Sequence, residues 1–364
     1  MKKLICILAI FCLLSCSAES MLSACGSHVL YLDPQGTVWA WGSNQKGESV
    51  PDSEAERILK PTLVFKDTRS IAAGRQFSYV LDNESTLWRW GSGLEAPEQI
   101  DSDVRLMAAC EDICAYVCGD TLKLLSGEEL ITLEAPGIKA VQAGADFVLY
   151  LTDDGNAYFY GNNDYLQAGG INEAPVVIME NCASISAHGQ TLLFTDAAGN
   201  VYAMGASGAE GRLGIDSDDW ITEPVSNGLG GIGECFAGVA CSGAVDRSGC
   251  MYVWGSLYSY VSAFDENGDA LTSMVEGVLI NYGKTPIALF PNISKLAFGD
   301  AFIAALTSDG SVMTWGSNDQ GQLGDGYYTS IEYSLDEESE DGTYEITVLD
   351  GEQRVFPVYP EFID

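Results

Sequence analysis

The sequence predicts an all-β fold, a β-propeller assembled from seven repeats. A short motif that contains a glycine near its end recurs along the chain, and the distance from this glycine to a small residue upstream is nearly constant. The segment between these two positions reads as two short strands in each repeat. The seven copies are TVWAWGS (37–43), TLWRWGS (86–92), TLKLLSG (121–127), NAYFYGN (156–162), NVYAMGA (200–206), CMYVWGS (250–256) and SVMTWGS (311–317).

The inner spacing of the repeat is the firmest of these observations. Four pairs of glycines lie 17 residues apart: Gly74 and Gly91, Gly144 and Gly161, Gly238 and Gly255, and Gly299 and Gly316. Cys110 and Gly127, like His188 and Gly205, keep the spacing of 17 without the first glycine, whereas Gly26 and Gly42 are 16 apart. The second glycine of these pairs occurs once in each repeat, and consecutive copies of it are 34 to 61 residues apart. A fixed inner spacing with variable outer gaps indicates a rigid hairpin joined by loops of different length.

Each repeat is predicted to contain a tight hairpin. In the last copy, FIAALTS (302–308) and SVMTW (311–315) read as strands, and Ser308-Asp309-Gly310 supplies the turn because glycine accepts a positive φ. A single hairpin cannot bury its two faces in water, so the repeats must stack. Aspartates recur at this turn and are interpreted as turn residues, not as acid–base pairs: Asp33, Asp82, Asp154, Asp196, Asp246 and Asp309.

One propeller domain is predicted over residues 21–364. Its repeats span about 21–64, 71–100, 104–136, 138–178, 182–225, 232–290 and 293–360. The sixth and seventh repeats carry long outer loops, at 257–285 and 327–354, and the acidic stretch in the second of these loops is expected to form an extra hairpin.

The N-terminus is predicted to be a processing segment. Lys2 and Lys3 precede the apolar run LICILAIFCLL (4–14), which ends at Leu13-Leu14-Ser15-Cys16 and resembles a bacterial lipoprotein box. We expect a signal peptide at 1–15, lipidation of Cys16, a short tether at 16–20 and a location at the bacterial cell envelope. The alternative is ordinary cleavage near Ala18 or Ser20 and secretion.

Composition narrows the classes of partner. With 52 acidic against 17 basic residues, the formal net charge is −35, which excludes non-specific nucleic-acid binding and disfavours adhesion to anionic lipid. A basic protein partner fits this charge, and the membrane is expected to be reached only through the lipid anchor. We expect a monomer. Eight cysteines follow Cys16, and their spacing favours buried free thiols without requiring disulfides.

The repeat resembles the regulator-of-chromosome-condensation family, whose unit runs from Ala-Gly through Asp-Gly and Trp-Gly-Ser-Asn to Gly-Gln-Leu-Gly. Residues 297–326 match nearly throughout, and the resemblance covers about 21–360. It implies a seven-bladed propeller, in which the repeated Trp41, Trp90, Trp254 and Trp315 serve packing between blades. The third unit (104–136) departs from the pattern, because it lacks both the aromatic before Gly127 and the Gly-Gln-Leu-Gly tail.

No catalytic constellation is evident, and no enzyme activity, cofactor or metal is predicted. His28 and His188 are interpreted as structural residues. The glycine-rich tails run on into polar loop and not into the helix that a phosphate-binding loop requires.

Three functions are weighed. The first is a non-enzymatic protein-interaction module that binds through variable loops on one propeller face. The second is an inhibitor of an extracytoplasmic enzyme, similar to the β-lactamase-inhibitor propellers, and the third is a carbohydrate-binding propeller. Nucleotide exchange on a small nuclear GTPase, the founding activity of the family, fits an exported acidic chain poorly. The candidate contact residues are loop aromatics, which commonly anchor partners: Trp220, Tyr258, Tyr260, Tyr327 and Tyr328.

Overall fold

A computed structural model describes residues 20–162, 174–207, 211–257, 260–261, 275–276, 280–335, 344–350, 354–360 and 362. These residues form a β-propeller of seven blades, each a four-stranded antiparallel sheet, which confirms the predicted fold class. The predicted signal peptide and Cys16 lie outside the described residues. Within the described residues no helix has the length and apolar character needed to cross a membrane.

Blades 1 to 4 follow one another along the chain. Blade 1 comprises β1 (Met21–Cys25), β2 (His28–Leu32), β3 (Val38–Ser43) and β4 (Arg57–Phe65). Blade 2 comprises β5 (Thr68–Ala73), β6 (Phe77–Asp82), β7 (Leu87–Gly91) and β8 (Glu98–Asp101). Blade 3 comprises β9 (Val104–Cys110), β10 (Ile113–Cys118), β11 (Thr121–Ser126) and β12 (Glu129–Glu134). Blade 4 comprises β13 (Ile138–Ala143), β14 (Phe147–Thr152), β15 (Ala157–Gly161) and β16 (Val176–Met179).

The last three blades include two insertions. Blade 5 comprises β17 (Cys182–His188), β18 (Thr191–Asp196), β19 (Val201–Gly205) and β20 (Ile221–Ser226). Blade 6 comprises β21 (Ile232–Phe236), β22 (Cys241–Asp246), β23 (Met251–Leu257), the inserted pair β24 (Tyr260–Val261) and β25 (Val275–Glu276), and β26 (Ile280–Ala288). Blade 7 comprises β27 (Ile293–Phe298), β28 (Phe302–Thr307), β29 (Val312–Gly316), the inserted hairpin β30 (Ser330–Leu335) and β31 (Tyr344–Asp350), and β32 (Arg354–Val358). The inserted hairpin in blade 7 is the one predicted from the acidic loop.

The first strand of each blade lies innermost. Contacts run in sequence through β1, β5, β9, β13, β17, β21 and β27, and β27 returns to β1, so the ring closes around a central channel. The second strand of each blade is covered on both faces by neighbouring blades. This explains its continuous apolar sequence, as in HVLYL of β2 and FIAALT of β28, because alternation is expected only where one face meets water.

The ring closes without a shared sheet. Every four-stranded sheet is built from one stretch of chain, and no described sheet joins blade 7 to blade 1. At this seam, Phe302 and Ala304 of β28 pack with Val29 and Trp41 of blade 1 in a single buried cluster. Side chains and loops therefore hold the ring shut.

Candidate functional site

The connections between strands divide the propeller into two faces. Because neighbouring strands are antiparallel, the turn after each first strand and the loop after each third strand emerge on the same side. We call this side the loop face. The turns between second and third strands emerge on the opposite side, the hairpin face. The loops that differ most between repeats thus share one face of the ring.

The hairpin face is uniform and structural. Asp33 Oδ1 accepts hydrogen bonds from the backbone N–H groups of Gln35 and Thr37, at 2.9 Å each, and Asp82 is bonded in the same way to Glu84 and Thr86. Side-chain hydrogen bonding lowers the pKa of the equivalent Asp196. These aspartates satisfy backbone donors in tight turns, which is the role expected of them from the sequence.

On the loop face, the tail of one blade covers the tryptophan of the next. Trp41 Nε1 donates to the backbone oxygen of Gln322 at 2.9 Å, and Trp254 Nε1 donates to that of Arg212 at 2.8 Å. Trp90 Nε1 reaches the backbone oxygen of Ser49 at 3.3 Å. The tryptophan stripe therefore lies between blades, with its polar atoms bonded and its rings buried.

Most of the repeat glycines after these aromatics admit no side chain. At six of them φ is positive, and a Cβ atom would lie 2.1 to 2.7 Å from a backbone oxygen of the adjoining turn: Gly42, Gly91, Gly161, Gly205, Gly255 and Gly316. Gly127 of blade 3 differs, since nothing lies within 4 Å of its Cβ position. In blade 3 Ser126, not Gly127, pairs with the first residue of the second strand, so the ladder has slipped by one residue.

Blade 3 also lacks the covering tail, and this leaves a pocket on the loop face. β11 and β12 are joined by residues 127–128 alone. Tyr160 of blade 4 occupies the tryptophan position but is only half-buried, whereas the four tryptophans are at most 1% exposed. Beside it lies a pocket of about 300 Å³. Its apolar lining is Ile113, Leu124, Ile131, Phe147 and Tyr160, and its polar rim is Ser126, Glu129, Asp146 and Asn162.

Apolar groups continue from this pocket onto the rim of the ring. Leu130 and Ile131, adjacent residues of β12, are 51% and 45% exposed. Adjacent residues of a strand point to opposite faces of the sheet, and of these two only Ile131 lines the pocket. Ile131 therefore extends the apolar lining of the pocket to the solvent, and exposed apolar surface of this kind marks interaction sites. The sequence shows that the third repeat lacks a tail, but it does not show the pocket that results, because a tail covers the next blade and not its own.

The predicted contact residues do not all lie in the described part of the chain. Trp220, Tyr327 and Tyr328 are 45%, 66% and 42% exposed on loop-face segments. Arg57 lies 5.0 Å from the ring centroid of Tyr328, as in a cation–π contact. Tyr258 is outside the described residues, and of Tyr260 only the backbone is described, paired with Glu276.

Ion pairs join three blades near the centre of the loop face. Arg75 of blade 2 forms a bidentate pair with Glu111 of blade 3, and its Nη1 also donates to Asp300 Oδ2 of blade 7 at 3.0 Å. The hydrogen bond with Glu111 raises the pKa of Arg75. Arg75 is 43% exposed at its side chain, so this cluster fixes the turns of three blades without being sealed from solvent.

The two histidines differ in their surroundings. His28 is fully buried, and its Nε2 lies 3.0 Å from Ser78 Oγ, which donates to the backbone oxygen of Glu48 at 2.7 Å. Burial lowers the pKa of His28 to about 4, so the ring is neutral near pH 7. His188 lies at the end of β17 beside Cys25. Burial opposes its charge, but interactions with Cys25 raise its pKa overall.

Comparison with known families identifies the repeat. The model of the regulator of chromosome condensation (RCC1) repeat matches residues 138–167 and 293–322. These segments begin at the innermost strands of blades 4 and 7 and run beyond the third strands. The second contains the copy that is most complete in the sequence.

Several named proteins are similar to part of this chain. The serine/threonine-protein kinase Nek9 of Xenopus laevis is 26% identical over 58% of this chain, and the E3 ubiquitin-protein ligase HERC2 of Homo sapiens is 29% identical over 53%. Protein pim1 of Schizosaccharomyces pombe is 24% identical over 84% of the chain. The matches span only 24%, 4% and 60% of those three proteins, respectively.

Solved structures share the fold. Human WBSCR16 aligns with a TM-score of 0.67 and 17% identity, over 90% of this chain and 94% of its own. Prp20p from Saccharomyces cerevisiae aligns with a TM-score of 0.66 and 17% identity, over 82% of this chain and 85% of its own. Its structure is described together with its binding to Gsp1p and histones.

Proposed function

The chain is a seven-bladed propeller that contains regulator of chromosome condensation (RCC1) repeats, and from that premise we propose that it is a non-enzymatic protein-interaction module. The observation that carries the proposal is the pocket between blades 3 and 4, where the missing tail exposes an apolar surface on the face that also bears the variable loops. Prp20p, which has the same fold, is described as binding Gsp1p and histones, and a yeast RCC1 structure contains Kap60; all of these are proteins.

The chemistry of the pocket defines the partner. A partner side chain that enters it would contact Ile131, Phe147 and Tyr160, all apolar or aromatic, and would leave Glu129 and Asp146 at the rim. Apolar anchors surrounded by complementary charges are typical of protein interfaces. With a net charge of −35 on the chain, we infer a partner that presents an apolar residue flanked by lysine or arginine.

The kinase and ligase activities of the matched relatives are not transferred to this chain. The region shared with Nek9 and HERC2 is 24% and 4% of those proteins, so it is a module within much longer chains. Among the described residues, His28 is held neutral by burial and lies in hydrogen-bonding distance of Ser78, which is a structural arrangement.

Replacing Ile131 by serine should weaken capture of the partner by about tenfold or more. The change leaves β12 in place on the rim but removes the apolar wall of the pocket. Truncation of a hot-spot residue at the centre of an interface costs about 2 kcal/mol or more, which is more than tenfold in affinity. The measurement is affinity capture from cell-envelope extract on the immobilised full chain, with recovered proteins quantified by mass spectrometry.

Val177→Ser is the matched control. Val177 lies on β16, the outermost strand of the next blade, is also 45% exposed and does not line the pocket. The proposal expects a protein that is recovered equally by the unmodified chain and by Val177→Ser but is strongly depleted with Ile131→Ser. Recovery of no protein, together with binding to a glycan array, would instead establish the carbohydrate-binding alternative.

We propose that this module is displayed at the bacterial cell envelope, anchored by lipid on Cys16. The basic Lys2 and Lys3, the apolar run at 4–14 and the cysteine that follows support this proposal. Cells expressing the full chain should incorporate labelled palmitate into it, and Cys16→Ala should lose the label while Cys118→Ala keeps it. Retention of the label in Cys16→Ala, or its absence from the unmodified chain, would refute the anchor.

A further inference from the structure

Four side chains with metal-binding atoms converge near the centre of the loop face. Cys25, Cys110, Glu111 and His188 each offer one ligand atom, and these atoms all lie within 4.8 Å of one another. Cys25 is fully buried, Cys110 is 1% exposed and His188 is 7% exposed. The residues come from blades 1, 3 and 5, so the closed ring brings them together from positions 78 and 85 residues apart in sequence.

Three of these residues occupy one equivalent position of the repeat. Three residues each end the innermost strand of a blade and lie 17 residues before the recurring glycine of that blade (Gly42, Gly127 and Gly205): Cys25, Cys110 and His188. The strand ladder thereby corrects the sequence alignment in blade 1. Cys25 pairs with His28, as Gly74 in blade 2 bonds to Phe77, so Cys25 is the equivalent residue and Gly26 is not.

The other four blades have glycine at this position: Gly74, Gly144, Gly238 and Gly299. A Cβ atom on any of them would lie 1.9 to 2.6 Å from its nearest neighbour. The repeat therefore excludes side chains here in blades 2, 4, 6 and 7. In the alternating blades 1, 3 and 5 it admits them, and all three are types that bind transition metals.

The histidine provides an independent indication of a ligand. Nε2 of His188 is buried and has no hydrogen-bond partner within the described part of the chain. Buried polar side-chain atoms nearly always have a partner, so each exception calls for an explanation. A buried imidazole beside two thiols can bind a metal ion, which would give the unpartnered nitrogen a partner.

We propose that Cys25, Cys110 and His188 bind one transition-metal ion of the Zn²⁺ class, with the carboxylate of Glu111 as the fourth ligand. Thiolate and imidazole select such an ion over Mg²⁺ or Ca²⁺, which prefer oxygen. Arg75 donates to Glu111 and would orient its carboxylate, as outer-shell partners of metal ligands commonly do.

The geometry requires only a small contraction. Zn²⁺ bonds of about 2.0–2.3 Å in a tetrahedron place ligand atoms about 3.3–3.8 Å apart. The atoms of the cluster are within 4.8 Å of one another, so inward shifts of about 1 Å assemble the site. The bound ion would connect blades 1, 3 and 5 across the channel. Its role would be structural, and it is independent of the proposed partner binding.

Co²⁺ titration of the full chain, with its thiols kept reduced, tests the proposal. We expect one Co²⁺ per chain with a thiolate-to-cobalt charge-transfer band and the intense visible bands of tetrahedral coordination, all abolished by added Zn²⁺. Cys25→Ser and Cys110→Ser should each weaken binding by at least about 100-fold, because removal of a ligand should exceed the effect of removing an outer-shell partner. Zn²⁺ should raise the Tm of the unmodified chain and not that of these variants.

Cys114→Ser is the control, since Cys114 is also fully buried in blade 3 but lies outside the cluster. It should bind Co²⁺ as the unmodified chain does. The proposal fails if the folded, reduced, unmodified chain shows no stoichiometric thiolate band, a result that does not depend on any variant folding. It also fails if folded Cys25→Ser and Cys110→Ser keep the spectrum unchanged.

Discussion

Gly316→Ala should destabilise the propeller by about 2–5 kcal/mol. Gly316 has a φ of +117°, where an L residue is strained, and a Cβ atom would lie 2.5 Å from the backbone oxygen of Ala301. The second near atom, Cα of Phe302 at 2.7 Å, also belongs to the backbone, so no side-chain rotation relieves the clash. β28 and β29 of blade 7 would have to move apart to accommodate the methyl group. The measurement is the free energy of unfolding from chemical denaturation.

Gly127→Ala is the comparison in blade 3, where Gly127 keeps the spacing of the repeat but Ser126 takes the pairing position that Gly316 has in blade 7. Gly127 has a φ of +59° and nothing within 4 Å of its Cβ position, so only the backbone conformation is unfavourable for alanine. We expect a loss of about 1 kcal/mol. Equal losses for the two variants would show that the close backbone approach does not explain why glycine recurs.

Trp41→Ala should have a comparably large effect, about 3–5 kcal/mol. The ring of Trp41 is fully buried, donates to Gln322 and packs with Leu323 of blade 7. Since no described sheet spans the seam between blades 7 and 1, this contact is part of what closes the ring. Chemical denaturation gives the loss, and faster hydrogen exchange in 317–326 would localise it to the seam.

Trp88→Ala controls for loss of a tryptophan as such. Trp88 lies on β7, is half-buried and donates to Asp82 Oδ2 within its own blade. We expect a cost of about 1–2 kcal/mol and unchanged exchange in 317–326. If Trp41→Ala cost no more than Trp88→Ala, the seam would not depend on the tail that covers Trp41.

The fold could be predicted because it is encoded locally. The spacing of 17 residues between an inner-strand end and the third-strand glycine sets the hairpin register, and Asp-Gly turns such as Asp309-Gly310 mark its position. Seven copies gave seven blades. The slip of blade 3 was not predicted, because it shows only in the pairing of Ile113 with Ser126 in place of Gly127.

The candidate site was predicted less completely because it depends on which blades are neighbours. The sequence showed that the third unit lacks a tail, but only the ring shows that the surface exposed is Tyr160 of blade 4. Cys25 and His188 are 163 residues apart, and no local spacing links them. In blade 1 the sequence pattern also points to Gly26, because most other repeats have a glycine at this position, whereas the strand pairing shows that Cys25 is the equivalent residue.

The most direct test of the central claim, that the loop face binds a protein partner through the pocket of blades 3 and 4, is an affinity comparison. The captured partner would be titrated against the unmodified chain, Ile131→Ser and Val177→Ser. We predict a loss of about tenfold or more for Ile131→Ser and no change for Val177→Ser. Equal affinity for all three chains would contradict the claim and place the binding surface elsewhere on the propeller.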